Sequence, residues 1–234
     1  MRFASLGSGS AGNALLVEAG ATCLMLDCGF GLRETVTRLL RVGRQPGDLD
    51  GIVVTHEHGD HVGGVFRLAR KYEIPVWLTH GTWSGCRIDD AGLDLRIIDS
   101  HRSFAVGDFE LAPFPVPHDA REPVQYVFSA AGLRLGVLTD VGETTPHICA
   151  MLSGCDGLVL EFNHDAGLLA GRRYTAHPSV AAEIPQAIAG ERVVVDGRIV
   201  TSRGAGTALD FGLCLIALLT SPSRAEDVSK AICC

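Results

Sequence analysis

The stretch Thr55-His56-Glu57-His58-Gly59-Asp60-His61 places three histidines and an aspartate within seven residues, at the end of the apolar run Gly51–Thr55. Alternate residues of an extended segment point to the same side, so His56 and His58 can hold one metal ion. Asp60 and His61 follow where the chain must turn, and their side chains can face a second ion. Imidazole and carboxylate ligands without a thiolate suit Zn, Mn or Fe. The stretch therefore predicts a metal site rather than surface histidines that lie together by chance.

Short strand-like and helical runs alternate on both sides of this motif. Apolar residues at helical spacing predict helices at Arg33–Val42 and at Val62–Tyr72. Many short strands with helices between them predict an α/β fold in which two sheets pack together under a cover of helices. The predicted strands are Phe3–Leu6, Ala14–Glu18, Thr22–Asp27, Gly51–Thr55, Pro75–Thr79, Leu95–Ile98, Phe109–Pro113, Val124–Ser129, Leu133–Thr139 and Gly157–Glu161.

The motif His56-x-His58-x-Asp60-His61 resembles the signature of the metallo-β-lactamase-fold hydrolases. Three other segments match motifs of that family in the same order, namely Leu26-Asp27-Cys28-Gly29, Pro117-His118-Asp119 and Thr139-Asp140-Val141-Gly142. Within the family, the YycJ/WalJ-type phosphodiesterases and exonucleases are similar at Ser5–Asn13, Pro117–Ala120 and Asn163-His164-Asp165. The resemblance covers residues 1 to about 165 and implies an αββα sandwich for a domain 1–165.

The resemblance also implies a site for two divalent ions, Zn or Mn. His56, His58 and His118 would hold one ion, Asp60 and His61 would hold the other, and Asp140 would bridge them. Asp27 and Asp119 would hydrogen-bond to the metal-bound imidazoles and fix their tautomers. Two neighbouring cations lower the pKa of water towards neutrality and stabilise the negative charge that develops during attack. We therefore expect a hydrolase whose catalytic residues include Asp60, Asp140 and His164.

Two of these segments have alternative interpretations. His164 could protonate a leaving oxygen or contact a phosphate, or it is a polar loop residue that follows a strand. The Gly7–Asn13 loop could bind substrate phosphate through its backbone N–H groups, together with Ser8, Ser10 and Asn13. Alternatively, its glycines only form a tight turn between two strands.

Basic residues cluster on the two predicted helices beside the histidine motif. Such a patch would suit a polyanion, although an ordinary solvated helix face has the same composition. The expectation of a phosphodiester substrate in DNA or RNA therefore comes mainly from the resemblance. The basic residues are Arg33, Arg38, Arg41, Arg44, Arg67, Arg70 and Lys71.

The sequence beyond Asp165 departs from this family. The family has one more metal-binding histidine late in the chain, whereas the only histidine after Asp165 is His177. This part resembles instead the closing third of the thiol-dependent DJ/PfpI superfamily. The catalytic cysteine and glutamate of that superfamily would lie in its earlier part, which has no counterpart here, so no thiol-dependent activity is expected. The similar segments are Gly171–Pro178, Glu191–Gly204 and Gly206–Phe211.

We expect the segment 166–234 to be an atypical ending made of a hairpin and helices that packs on the first domain. Some cover is needed because bare strand edges and apolar surface are unfavourable in water. The missing histidine predicts a weak second ion, unless His177 replaces that ligand. The hybrid is a natural fusion, a recombined sequence or an engineered chimera. The predicted elements are strands Glu191–Val195 and Arg198–Thr201, joined by an Asp196-Gly197 turn, and helices Thr207–Leu219 and Ser223–Ile232.

Composition narrows the classes of protein further. Of the 234 residues 47% are hydrophobic and 20% charged, which excludes wholesale disorder. A net charge of −7 argues against binding to nucleic acid or anionic lipid through the overall field. No run approaches the ~18 apolar residues of a membrane helix. The apolar run before Gly7 is shorter than a signal peptide requires, and the cysteines form no C-x-x-C pair. We expect a cytoplasmic protein without a membrane partner; the sequence indicates no oligomeric state.

Three functions follow from these observations. The first is a metal-dependent phosphodiesterase or nuclease acting on DNA or RNA. The second is a hydrolase of small esters or thioesters, because the same two-metal centre can serve acyl transfer. The third is a metal-binding hybrid with little turnover, because its last ligand is missing.

Overall fold

The computed structural model of the protein describes residues 1–160, 171–176, 186–197, 199–203, 207–219 and 221–231. The chain divides into two units, Met1–Glu161 and Phe162–Cys234. The expected domain boundary at residue 165 lies outside the described residues. That boundary, and the packing of the tail on the first domain, stay predictions.

The first unit contains a six-stranded sheet with the strands in sequence order. Strand β2 is antiparallel to both of its neighbours, β1 and β3, and every later neighbouring pair of the sheet is parallel. The carboxyl ends of the third to sixth strands therefore lie at the same edge of the sheet. The strands are β1 (Arg2–Gly7), β2 (Ala14–Ala19), β3 (Thr22–Leu26), β4 (Gly51–Val53), β5 (Val76–Thr79) and β6 (Leu95–Ile98).

A five-stranded sheet forms the other layer, in the order β11-β10-β9-β8-β7. Its pairs are antiparallel except for β10 and β11, which are parallel. Most bounds agree with the sequence predictions, but the short strand β7 is additional. The strands are β7 (Phe104–Val106), β8 (Phe109–Pro115), β9 (Val124–Ala130), β10 (Leu133–Leu138) and β11 (Gly157–Leu160).

Strand β3 shows how the layers are assembled, because all five of its residues are buried. Its side chains alternate between two cores: Leu24 and Leu26 pack with the second sheet, whereas Cys23 and Met25 pack with the helices. A strand buried on both faces reads as a continuous apolar run rather than an alternating one. The six-stranded sheet is therefore the middle layer, between the helices and the five-stranded sheet.

Four helices of the first unit cover the face of the six-stranded sheet that points away from the five-stranded sheet, whereas the fifth lies against the five-stranded sheet, with Leu152 beside Gly136. Leu39 of α1 and Leu68 of α3 are fully buried in the core that they share with the sheet. The predicted helix Val62–Tyr72 begins later, at Val65, because a separate helical turn, α2, precedes it. The helices are α1 (Leu32–Arg41), α2 (Gly59–Val62), α3 (Val65–Tyr72), α4 (His80–Cys86) and α5 (Pro146–Leu152), with a 3₁₀ turn at Pro46–Asp48.

The second unit contains the predicted hairpin and both predicted helices. Asp196 is the last residue of its strand and pairs with Ile199, so the prediction that Asp196 lies in the turn was wrong. Gly197 follows with a left-handed φ of 61°, which glycine adopts without strain. Among the described residues, no helix is both long and apolar enough to cross a membrane. The elements are β12 (Val193–Asp196), β13 (Ile199–Ser202), α6 (Ala208–Leu219) and α7 (Pro222–Ala231).

Candidate metal centre

The residues of the sequence motifs meet where strands of both sheets end. Asp27 follows β3, the histidine motif follows β4, His118 follows β8 and Asp140 follows β10. The two sheets are joined here by hydrogen bonds: the Tyr126 hydroxyl donates to the Val54 carbonyl at 2.9 Å, and the Val124 N–H donates to the Thr55 carbonyl at 3.1 Å. The loops that carry these side chains are thereby anchored to buried strands.

Asp27 holds the histidine motif in place through hydrogen bonds to Thr55 and His61. Its backbone is left-handed, with φ of 57°, and its side chain is buried. One carboxylate oxygen accepts the Thr55 N–H at 2.8 Å, and the other accepts the Thr55 hydroxyl and His61 Nδ1, each at 2.8 Å. These hydrogen bonds fix the orientation of the His61 ring, whereas metal binding by that ring stays a prediction.

A first group of possible metal ligands consists of His56, His58 and His118. His118 Nε2 lies 3.3 Å from His56 Nε2 and 3.2 Å from His58 Nδ1. Burial, assisted by the nearby His61 charge, lowers the pKa of His56 to about 3, so this imidazole is neutral near pH 7. A neutral imidazole has a single N–H and one lone pair, so three nitrogens this close cannot all bond to one another. Three nitrogens at this spacing are a donor set that fits one cation.

A second group consists of His56, His61 and Asp140, so His56 belongs to both groups. Asp140 Oδ2 lies 2.6 Å from His61 Nε2, and the charged His61 ring is its ion-pair partner. Asp60 Oδ2 lies 3.7 Å from the same nitrogen. Imidazole nitrogen and carboxylate oxygen are ligands that suit Zn or Mn, so a cation could take the place of the His61 proton. The donor set therefore fits a second divalent ion.

The protonation of His61 differs from that of His56. Burial alone would lower its pKa, but the carboxylates of Asp27 and Asp140 outweigh burial and raise the pKa to about 10. The His61 imidazolium in turn lowers the pKa of Asp140. Without an ion, a doubly protonated ring thus lies between two carboxylates, and a cation can reach His61 Nε2 only by displacing its proton.

The Gly7–Asn13 loop reaches this centre through Asn13. The Asn13 amide oxygen accepts the Gly9 N–H at 2.8 Å, while its Nδ2 donates to Asp60 Oδ2 at 3.2 Å and lies 3.0 Å from His61 Nε2. The amide is therefore occupied by the protein. Ser8 borders a small cavity beside His61, and Ser10 is exposed. Contact of these three residues with substrate stays a prediction.

Of the remaining predicted site residues, Asp119 lies among the described residues. Asp119 is exposed, and its Oδ1 lies 3.2 Å from His118 Nδ1, the position expected of a residue that orients the ring. His164 and His177 lie outside the described residues, so their roles stay predictions.

Much of the predicted basic patch is used within the chain. Arg38 donates to Glu34 and to the Leu6 carbonyl, Arg44 donates to Glu18, and Arg70 donates to the carbonyls of Asp89 and Ala91. The exposed remainder is Arg33, Arg41, Arg67 and Lys71. The interpretation of all seven residues as one polyanion surface is therefore too broad.

Sequence reasoning missed one bracing residue within the motif itself. Glu57 lies between the first two histidines, and its Oε1 accepts the Arg121 N–H at 2.9 Å. This bond ties the His118 loop to the histidine motif. The sequence signal for this role is the position of Glu57. In an alternating segment its carboxylate points away from the side that His56 and His58 share.

Comparisons with known proteins agree with this geometry. The family model described as "Beta-lactamase superfamily domain" matches residues 22–195. Exodeoxyribonuclease YycJ of Bacillus anthracis is 35% identical over 177 residues, which are 74% of this chain and 67% of that protein. Zn(2+)-bound PqqB from Methylobacterium extorquens has the same fold, with a TM-score of 0.60 at 15% identity over 80% of this chain and 78% of that one.

A separate similarity supports the sequence interpretation of the tail in part. Protein DJ-1 homolog A of Arabidopsis thaliana is 41% identical over 70 residues, which are 28% of this chain and 18% of that protein. This similarity is partial, and the origin of the hybrid stays a prediction. The family match and the YycJ similarity are far more extensive, although the chain spans only about two thirds of the exodeoxyribonuclease. The chain therefore belongs to the beta-lactamase superfamily and is a metallo-β-lactamase-fold hydrolase of the YycJ/WalJ type.

Proposed function

We propose that the chain is a two-metal phosphodiesterase that degrades DNA. The observation that carries this proposal is the pair of adjoining ligand groups, one made of His56, His58 and His118 and the other of His56, His61 and Asp140. Such a centre serves hydrolysis in general, and the similarity to an exodeoxyribonuclease favours DNA.

The proposed ions are Zn²⁺ or Mn²⁺. His56, His58 and His118 would hold the first, His61 and Asp60 the second, and Asp140 would bridge them. When bound, two divalent ions supply a hydroxide nucleophile at neutral pH and neutralise charge on the phosphoryl oxygens.

The protein's own groups then orient the reaction and carry its protons. Asp27 and Asp119 hold His61 and His118 through their Nδ1 atoms, so that each Nε2 faces the centre. Asp60 is partly exposed, and its Oδ2 is held by the Asn13 amide, so we assign it the role of accepting a proton from the attacking water. His164 would return a proton to the leaving oxygen.

An end-labelled DNA assay with Mn²⁺ or Zn²⁺ tests this function. We expect stepwise loss of terminal nucleotides from DNA, turnover of bis(p-nitrophenyl) phosphate, and loss of both activities in Asp140→Asn. His101→Ala is the matched control, because His101 is an exposed histidine that belongs to neither group of metal ligands. Degradation of RNA alone would contradict the choice of DNA. Hydrolysis of S-lactoylglutathione alone would favour the thioester alternative, and bound metal without any activity would favour the inactive hybrid.

A further inference from the structure

Thr55 lies at the junction between the two groups of metal ligands. It is fully buried, and it directly precedes His56. Its hydroxyl oxygen is 2.8 Å from Asp27 Oδ2, 2.9 Å from His56 Nδ1 and 3.4 Å from His61 Nδ1. The same Asp27 oxygen is 2.8 Å from His61 Nδ1. One carboxylate oxygen is therefore connected to an imidazole of each group.

The directions of these hydrogen bonds follow from the chemistry of the groups. The ionised carboxylate of Asp27 can only accept, so the single proton of the Thr55 hydroxyl is donated to it. The hydroxyl oxygen must then accept the bond from His56, which assigns the His56 proton to Nδ1. His56 Nε2 is consequently left with its lone pair, and this nitrogen is the one that faces His118 Nε2.

We propose that Thr55 is a positioning residue that connects the two metal sites. Its hydroxyl donates to Asp27 and accepts from His56, so Asp27 orients His56 through Thr55 and orients His61 directly. A single buried carboxylate thereby orients one imidazole of each site. The inference rests on the proposed metal centre but not on the proposed substrate. Groups that fix the tautomer of a metal-bound histidine typically contribute roughly 10–100-fold to metal affinity.

Three variants separate the hydroxyl from other properties of this residue. Thr55→Val keeps the branched shape and removes the hydroxyl. Thr55→Ala removes both the hydroxyl and the branch, and Thr55→Ser keeps the hydroxyl without the methyl group. Each variant keeps the backbone N–H that donates to Asp27 Oδ1. Thr35→Val is the matched control, because Thr35 is equally buried and its hydroxyl contacts the carbonyls of Phe30 and Gly31 and Cys28 Sγ rather than a histidine of the centre.

Long-range ¹H–¹⁵N correlation spectra of the metal-free protein report the tautomer of each histidine. We expect the Nδ1–H form of His56 in the wild type, in Thr55→Ser and in Thr35→Val, and loss of that preference in Thr55→Val and Thr55→Ala. Calorimetric titration with Zn²⁺ should then show roughly 10–100-fold weaker binding at the His56, His58, His118 site in Thr55→Val, with recovery in Thr55→Ser. Binding at the His61 site should change less, because His61 keeps its direct bond to Asp27.

Two results would overturn the inference. One is an unchanged His56 tautomer in both Thr55→Val and Thr55→Ala. The other is unchanged Zn²⁺ affinity in Thr55→Val although the tautomer has changed. If the wild type bound no divalent ion at all, the proposed function would fail, whereas the tautomer measurement would still decide the role of Thr55.

Discussion

The two groups of metal ligands share His56 but differ in how they are prepared for a cation. In the first group, burial keeps His56 neutral, and imidazole lone pairs face one another. In the second group, His61 carries a proton on each side of its ring and lies between two carboxylates. The first site therefore offers a lone pair directly, whereas the second must exchange a proton for the ion. The two neighbouring metal sites should thus respond differently to mutation and to pH.

Removal of His56 should give the largest effect, because its Nε2 is one of the three imidazole nitrogens of the first site. We expect His56→Ala and His58→Ala to lose the first ion, and His61→Ala to lose the second. Calorimetric titration of metal-stripped protein, with elemental analysis of chelator-free preparations, measures this. Retention of both ions by His56→Ala would remove the residue from the centre.

Neutralising the bridging carboxylate should act mainly on turnover. Asp140→Asn should keep the fold, because asparagine tolerates the left-handed φ of 47° at this position. Loss of a fixed charge at the reacting centre should lower kcat by roughly 10²–10³-fold. Turnover of bis(p-nitrophenyl) phosphate and a circular dichroism spectrum check the two parts. Unchanged turnover at saturating metal would show that Asp140 does not bridge.

The pH dependence should distinguish the two sites. The folded pKa of His61, about 10, lies above its ordinary value of 6.5. Since the second ion displaces this proton, its affinity should rise by about tenfold per pH unit between pH 7 and 9. The stability that the charged ring gives the metal-free fold is complete below about pH 6.5 and is lost as pH rises through 10. Calorimetry in buffers of different ionisation enthalpy should detect the release of about one proton at pH 8 for each ion that binds at the second site. Absence of proton release would contradict the proposed difference between the two sites.

Asn13 should affect the second site selectively. Asn13→Ala removes the donor to Asp60 Oδ2, so the affinity of the second ion should fall by about tenfold, the lower end for a residue that orients a ligand. The lost buried hydrogen bonds should also lower the free energy of unfolding by about 1–3 kcal/mol. Zn²⁺ titration and denaturant unfolding measure these changes, with the exposed Ser10→Ala as control. An equal loss at both sites would contradict a selective role.

The smallest effect is expected at Asp119, whose carboxylate is 86% exposed. Water screens its interaction with His118, so Asp119→Asn should weaken the first ion by less than about tenfold. A Zn²⁺ titration of this variant checks the estimate. A loss as large as that of His58→Ala would mean that Asp119 is itself a ligand.

Regular apolar patterns made most of the fold predictable from the sequence. The strand Leu95–Ile98 is confirmed with identical bounds, and α1 begins one residue earlier than predicted. Helix α4 was missed because its sequence, HGTWSGC, contains few helix-forming residues; its start is stabilised instead by the Thr79 side chain, which accepts the Thr82 N–H. Helix α5 carried a usable signal that was overlooked, a Thr145 cap followed by Pro146.

The candidate site was predictable for residues that carry their chemistry in a local motif. Spacing alone indicated that His56 and His58 share a side. The partners of Asn13 and Arg38 could not be predicted, because they depend on segments far apart in the sequence: Asn13 meets Asp60 across 47 positions, and Arg38 meets Leu6 across 32. Such contacts are set by how strands and loops pack, which a linear pattern does not encode.

Asp27 and Asp140 share a left-handed backbone, with φ of 57° and 47°. Alanine at such a position costs about 1–2 kcal/mol in backbone strain alone, whereas asparagine and glycine adopt it readily. An alanine scan of this enzyme would therefore overstate the chemical importance of both aspartates. Each alanine variant would lose the carboxylate and would also strain the backbone of its loop. Asparagine replacements isolate the charge, and glycine replacements isolate the loss of the side chain. Asparagine and glycine are therefore the replacements that natural variation could make at these two positions without a backbone cost.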